Sequence, residues 1–352
     1  REKFQGMSKS NYLQKNSFID LNEPELIKLM QEVGGESFRI NQINNWIYNN
    51  YVRSWDEMKN IPSSLISQLE KKIKLHSLDL IEITGVKNDP IRKFLFKTKK
   101  GNQIESVLMH DKKRTTICVS SQSGCILDCN FCATASMGFL ENLSSTEILD
   151  QVLYLASYSN SKITNIVYMG MGEPLMNYRN VMDSGTLLKT KMGLGTKRIT
   201  ISTAGIASKI RQIADDNYGF KLAISLNASN ENTRNKIMPI TKKYSLLNIM
   251  KAAEYYFNKT KKLITFEYVL LKDVNASISD AQNLMNLLKF FPCKLNVIPY
   301  NEIDGDYKRP DIENIESFLS SLESAPFMVT VRWSNGTDIN AGCGQLAVKD
   351  TI

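Results

Sequence analysis

From residue 115 to residue 332 the chain alternates strand-like with helix-like stretches, and no other feature limits its possible folds so sharply. Candidate strands fall at 116–121, 165–169, 198–202, 221–226, 264–271, 294–298 and 328–332. Helical apolar spacing fills most of the gaps, at 146–156, 180–189, 207–214, 246–257, 279–290 and 311–322. The first of these opens Ser144-Ser145-Thr146-Glu147, a capping box in which the Ser and Glu side chains satisfy free amides of the first turn. Parallel strands need a long crossover, so this alternation predicts an α/β fold with a parallel sheet. If the sheet curls into a barrel, the site lies at the C-terminal ends of its strands.

The region before residue 90 is different. Apolar residues recur at helical spacing over 21–33 (Leu26, Ile27, Met30), 39–51 (Ile43, Trp46, Ile47, Tyr51) and 62–73 (Leu65, Leu69, Ile73). This predicts a small helical module over 7–90 with no catalytic cluster of its own. Two strands, at 92–96 and 103–109, follow around the turn Lys99-Lys100-Gly101-Asn102, a β-hairpin extension or linker over 91–114. The barrel then takes 115–347. Residues 1–6 precede a Met and resemble the remnant of a protease site.

Among 352 residues, 42% are hydrophobic and 23% charged, an ordinary globular composition. No stretch approaches the ~20 apolar residues of a membrane span, and the polar start lacks the apolar core of a signal peptide. A net charge of +8 suits polyanionic partners, since each phosphate neutralised releases counterions, although many basic proteins bind no nucleic acid. Six cysteines are too few for a secreted disulfide scaffold. Three of them within eight residues indicate a metal site in a reducing, cytoplasmic compartment. Nothing in the sequence points to an oligomer, so a monomer is expected.

Those three, Cys125, Cys129 and Cys132, have the spacing C-x3-C-x2-C just after the first barrel strand. Three thiolates on one loop can hold three irons of a [4Fe–4S] cubane. The fourth iron is then open to chelate the amino and carboxylate groups of S-adenosylmethionine. Zinc is the competing reading, but it wants four ligands, usually in two pairs. There is no second pair, and His76 and His110 stand far off. The spacing, with Phe131 before the last Cys, resembles the radical S-adenosylmethionine (SAM) superfamily.

Polar residues fall at the other strand ends: Gly170-Met171-Gly172-Glu173-Pro174, Ser202, Ser225-Leu226-Asn227 and Tyr300-Asn301. A glycine turn lets the backbone approach a ligand closely, and Glu173 can accept from an ammonium group. Taken alone, that turn is an ordinary strand-to-helix connection. Cys118 lies on the first barrel strand and by itself reads as a small buried hydrophobe. Cys343, between glycines, belongs to a tight or mobile loop. Cys293 looks structural, and strand alternation turns Glu105 towards solvent.

The segments Ser120-Ser121-Gln122-Ser123-Gly124-Cys125, Phe131-Cys132-Ala133-Thr134, Met169 to Pro174, Ile199-Thr200-Ile201-Ser202-Thr203, Phe266-Glu267-Tyr268, Ile298-Pro299-Tyr300-Asn301 and Gly342-Cys343-Gly344-Gln345-Leu346 together resemble the RlmN family. These are adenine-C2 methyltransferases of 23S rRNA and, in some members, tRNA. The resemblance spans roughly residues 20 to 347. It implies a partial (β/α)6 TIM-like barrel, with an N-terminal helical domain that helps grip RNA. It also implies a reaction at adenine 2503 of the peptidyl transferase centre, extending to adenine 37 of tRNAs.

On that resemblance Cys125, Cys129 and Cys132 ligate the cluster. Gly172, Glu173, Ser202, Ser225, Leu226, Asn227 and Asn301 bind SAM. Cys343 takes a methyl group from one SAM, which calls for a lowered thiol pKa. A second SAM gives the 5′-deoxyadenosyl radical, which takes a hydrogen from that methyl group, and the resulting methylene radical adds to C2. Cys118 resolves the adduct, leaving a Cys118–Cys343 disulfide, and Glu105 matches the family's proton acceptor. An electron donor of the flavodoxin or ferredoxin type completes the set. Asn227 stands where the family commonly has His.

Two rivals have their own signatures. The C8-methylating Cfr family shares the cysteines, but it tends to carry Gly-Glu-Ala and Arg-Tyr-Asn where this chain has Gly172-Glu173-Pro174 and Pro299-Tyr300-Asn301. A non-enzymatic RNA-binding protein with a structural metal would also fit the charge and the basic–aromatic runs around Lys242 and Lys259. Such runs are more often solvated helix faces.

Overall fold

The computed structural model describes residues 17–111, 114–334 and 336–348. The expected remnant at 1–6, the start of the helical module and Asn335 lie outside these residues. The chain opens with three helices, α1 (Glu23–Glu32), α2 (Arg39–Asn49) and α3 (Ser63–Lys72). Asn22 starts α1 with a capping box: Glu25 N donates to Asn22 Oδ1 at 3.1 Å and Asn22 N to Glu25 Oε2 at 2.8 Å. The apolar stripes, with Met30, Ile43, Ile47 and Leu69 fully buried, pack around Phe18, whose ring meets Trp55 edge-on at 5.4 Å.

The strands are β1 (Asp79–Thr84), β2 (Ile91–Lys97), β3 (Gln103–Asp111), β4 (Arg114–Cys118), β5 (Gln122–Gly124), β6 (Phe139–Asn142), β7 (Asn165–Tyr168), β8 (Ile199–Thr203), β9 (Lys221–Ser225), β10 (Ile264–Leu270), β11 (Cys293–Pro299) and β12 (Met328–Val331). Ten form one sheet in the order β1-β2-β3-β4-β7-β8-β9-β10-β11-β12. Pairing is antiparallel from β1 to β4 and parallel from β4 to β12. Residues of β3 and β12 line the same lumen, so the sheet curls into an open barrel. The crossovers carry α4 (Ala133–Ser136), α5 (Ser145–Ser157), α6 (Tyr178–Met192), α7 (Ala207–Asp216), α8 (Glu231–Ile237), α9 (Leu246–Thr260), α10 (Ile278–Leu288) and α11 (Ile312–Ser320). Among the described residues no helix is long and apolar enough to cross a membrane.

Two expectations need correcting. Residues 79–84, placed in the helical region, form β1; Ile81 is exposed while Leu80 and Ile83 are half-buried, and a bulge at Leu80/Glu82 breaks the alternation, so their period was faint. The 91–114 segment is no linker, because β3 pairs with β4 over Val107–Asp111 and makes the hairpin part of the barrel sheet.

A buried ion pair joins the helical module to the barrel. His76 Nδ1 lies 2.5 Å from Asp150 Oδ1 on α5, and His76 Nε2 lies 2.9 Å from the Val52 carbonyl. Both ring nitrogens face acceptors, which requires the doubly protonated cation. Burial works to lower the His76 pKa, and the Asp150 carboxylate outweighs it, so the net shift is upward. The pair's stabilisation is therefore complete below the ordinary histidine range and is lost as pH rises through the elevated value. We expect the melting temperature to fall between pH 6 and pH 9, and Asp150→Asn to flatten this dependence; an unchanged slope in the variant would count against the pair.

Candidate active site

The cysteine loop hangs between β5 and α4. Cys125 N donates to Gly138 O at 2.9 Å, which brings β6 against the loop. Gly124 has φ +67°, and a Cβ there would come within 1.8 Å of Gly138 O, so only glycine fits. Cys125, Cys129 and Cys132 all line one cavity of about 170 Å³ at the C-terminal end of the barrel. Burial pushes the Cys125 thiol up to about 12 and raises the other two, and Cys132 adds to the shift at Cys125 and Cys129. The three sulfurs therefore converge.

No three Cys, His, Asp or Glu side chains among the described residues close on a point where a single ion could sit. A cubane does not require that, since each thiolate bonds a different iron. The donor set fits such a cluster, and binding as thiolates would offset the cost of burying the sulfurs.

Gly172, Glu173, Ser202, Ser225 and Asn227 line the same cavity. Gly172 has φ +93°, and a Cβ there would lie 2.4 Å from Gln122 Cβ. Glu173 is buried; its Oε1 accepts from Leu175 N at 2.9 Å and its Oε2 from Ala204 N at 2.7 Å. Burial raises its pKa and these amides hold it down. The Thr203 side chain bonds it as well; a carboxylate has about four acceptor sites, so one is left for an ammonium group. Asn227 adopts φ +56°, a backbone conformation that Asn tolerates better than His. Its Oδ1 accepts from Val269 N at 3.0 Å.

Leu226 and Asn301 lie off the cavity. The Leu226 side chain is in the core, and its carbonyl accepts from Arg234 Nε at 3.0 Å. Asn301 Nδ2 donates to Cys343 O at 3.1 Å and to Ser334 Oγ at 2.9 Å, so its amide holds the cysteine loop.

That loop is a strap over the segment that carries Cys125, Cys129 and Cys132. Ala133 N donates to Gly344 O at 2.7 Å, Thr134 Oγ1 to Leu346 O at 2.5 Å, Gln345 Nε2 to Glu302 O at 2.9 Å and Ala347 N to Glu105 Oε2 at 3.1 Å. Glu105 is buried, contrary to its expected exposure, because it shares the lumen side of β3 with Val107 and Met109 and the strap closes over it; Lys93 Nζ pairs with its Oε1 at 2.8 Å. Burial raises its pKa, with Lys93 opposing.

Cys343 lines the upper cavity and also a larger lumen of about 710 Å³ that contains Cys118. Both thiols are free, and burial pushes Cys118 up to about 12, with Cys343 adding to the shift.

Sequence reasoning assigned no role to three residues here. Arg234 is fully buried and holds Ser225 O (3.2 Å), Leu226 O, Thr241 Oγ1 (2.8 Å) and Ala204 O. Its place in a polar helical stretch gave no signal. Arg332 is held more firmly protonated, above all by Cys343, then against burial by Glu267 and Cys118. Glu267 lines the cavity from within β10. An acidic residue in the apolar run Ile264–Leu270 was a legible signal.

A curled parallel sheet with three converging thiols and a ligand cavity at its strand ends defines a radical SAM enzyme. The profile of the Radical SAM superfamily matches residues 119–287, and that of the ribosomal RNA large subunit methyltransferase N-terminal domain matches 17–75. A probable dual-specificity RNA methyltransferase RlmN of Clostridium botulinum is 45% identical over 94% of this chain and 96% of its own. One from Flavobacterium johnsoniae is 39% identical over 96% and 99%. A radical SAM methyltransferase structure from Sphaerobacter thermophilus superposes with TM-score 0.88 at 36% identity, covering 94% of this chain and 99% of that one. The chain belongs to the RlmN family of radical SAM methyltransferases.

Proposed function

We propose that this chain methylates C2 of adenine in RNA, at adenine 2503 of 23S rRNA and adenine 37 of tRNAs, through a methyl group carried on Cys343. The supporting observation is that Cys343 stands on the wall shared by the two cavities. A carrier thiol must meet SAM on one side and the base on the other. The lumen suits a base beside phosphates, since Arg114, Lys294 and Arg332 line it.

Cys125, Cys129 and Cys132 would hold a [4Fe–4S] cluster, which would supply the electron for reductive cleavage of SAM to methionine and a 5′-deoxyadenosyl radical. Glu173, Ser202, Ser225 and Asn227 orient SAM from the strand ends, with Gly172 giving close backbone approach. C2 is an electrophilic amidine carbon, so it needs radical addition; nucleophilic attack on a sulfonium methyl group cannot alkylate it. Cys343 gives up its proton and takes a methyl group from a first SAM. A second SAM activates that methyl group, so two are used per turnover.

The adduct radical at C2 must lose one electron, which the oxidised cluster would take back, and one proton, for which Glu105 is the proposed acceptor. The Cys118 thiolate then attacks the Cys343 sulfur. The S–CH2 bond breaks, the released carbon is protonated to the methyl group, and a Cys118–Cys343 disulfide remains for an external thiol to reduce. The enzyme acts as a monomer in the cytoplasm with a flavodoxin- or ferredoxin-type donor. Nucleotide-resolved mapping of RNA treated with the reduced enzyme tests the reading. Methyl groups at C2 of adenine are expected; methyl groups only at C8, or zinc in place of iron and sulfide in protein purified without oxygen, would overturn it.

A further inference from the structure

We propose that the β5–β6 hairpin beside the cysteine loop is the docking surface for an acidic one-electron carrier protein, an inference that rests on the radical reading above. The carrier loses one electron and the cluster gains one, so the two must come close. Cys125 N is bonded to Gly138 O, and Gly124 pairs with Phe139, a separation of about one strand spacing, ~4.8 Å.

Three apolar side chains stand in solvent here: Ile126 at 46% exposure, Phe139 at 42% and Leu140 at 51%. Neither the cluster nor the SAM cavity uses Phe139 or Leu140. One lysine is bonded to the hairpin and another adjoins the cysteine loop. Lys100, on the β2–β3 turn, reaches Glu141 of β6 at 3.5 Å while staying 72% exposed. Lys236 is exposed, and its carbonyl accepts from Asn130 Nδ2 of the cysteine loop at 2.8 Å. Glu141 is buried and held by Thr98 and Asn102, leaving Asp128 as the exposed acid on this loop. A small apolar centre with a cationic rim matches the size and chemistry of transient redox encounters, which sit at the low end of interface areas. A surface built for RNA would place its cations at the centre, with aromatic faces for stacking.

The test uses oxidised flavodoxin as the carrier probe. Its binding to the cluster-loaded protein is measured by calorimetry at low and physiological salt, for the wild type, Leu140→Asp and Lys236→Glu. Methylation is followed with reduced flavodoxin and, separately, with dithionite. Binding that weakens with salt is expected in the wild type. Each variant should lose affinity about tenfold, with flavodoxin-driven turnover falling in step and dithionite-driven turnover, iron content and circular dichroism unchanged. Wild-type affinity in both variants would overturn the proposal. So would a matching loss of RNA affinity and dithionite-driven turnover, which would assign the surface to RNA. A wild type inactive with dithionite would strike the radical reading itself, whatever flavodoxin binds.

Discussion

Replacing Cys343 with alanine is expected to lower methylation at least about a thousandfold, the scale of losing a covalent nucleophile, while leaving the cluster intact. The separation of effects follows from the strap. Every contact that holds it runs through backbone atoms or neighbouring side chains: Asn301 Nδ2 to the Cys343 carbonyl, Thr134 to Leu346 O, Ala347 N to Glu105. Removing one partly exposed sulfur deletes none of them. Intact-protein mass spectrometry supplies the second readout. The wild type should carry one extra methylene unit and the variant none, at equal iron content. A variant that still carries the extra mass, or that still turns over, would remove Cys343 as the carrier. Cys118→Ala should leave the first methyl transfer untouched and instead trap protein on RNA; unlinked RNA with that variant would count against a resolving role.

Arg234→Met is expected to destabilise the fold by at least ~3 kcal/mol, because hydrogen bonds to a buried charged group are worth ~1.5–3 kcal/mol each and their loss leaves acceptors unpaired. Arg234 is fully buried and ties the ends of β8 and β9 through Ala204 O, Ser225 O and Leu226 O. Burial lowers its pKa to about 10, so it stays charged at neutral pH. The methionine keeps the apolar length and loses every donor, which isolates the hydrogen bonds from packing. Chemical denaturation measures the loss. SAM affinity should fall with it, since Ser225 and Ala204 both line the cavity. A loss under 1 kcal/mol would mean that water replaces the guanidinium.

Much of this site was legible because its signals are local. The cysteine spacing and the polar residues closing each strand lie within a few positions of the elements that aim them, and period-2 and period-3.6 patterns located those elements to within a few residues. Glu105 shows where local reading fails. Alternation along β3 turned it outward, but the surface it meets belongs to Ala347, 242 residues downstream. Arg234 failed for the same reason, since its partners come from two strands and a turn. Asn301 had the right position, after β11, but its amide faces the strap. Strand β1 was faint because one exposed isoleucine, Ile81, and a bulge blur its period.

The strap also divides the molecule's stability. Its anchors are a handful of hydrogen bonds and the one buried leucine, Leu346, whereas the barrel beneath rests on a continuous core from Phe18 to Leu322. Opening a segment costs only the contacts it makes, so the strap can lift while the barrel stays folded. Amides of residues 342–347 should therefore exchange with solvent well before those of β7 to β10; exchange at the barrel's rate would show the two to be one cooperative unit. If they are separate, the Cys343 thiol moves on a free-energy scale set by those few bonds, and variants that stiffen the barrel should leave its reach unaltered.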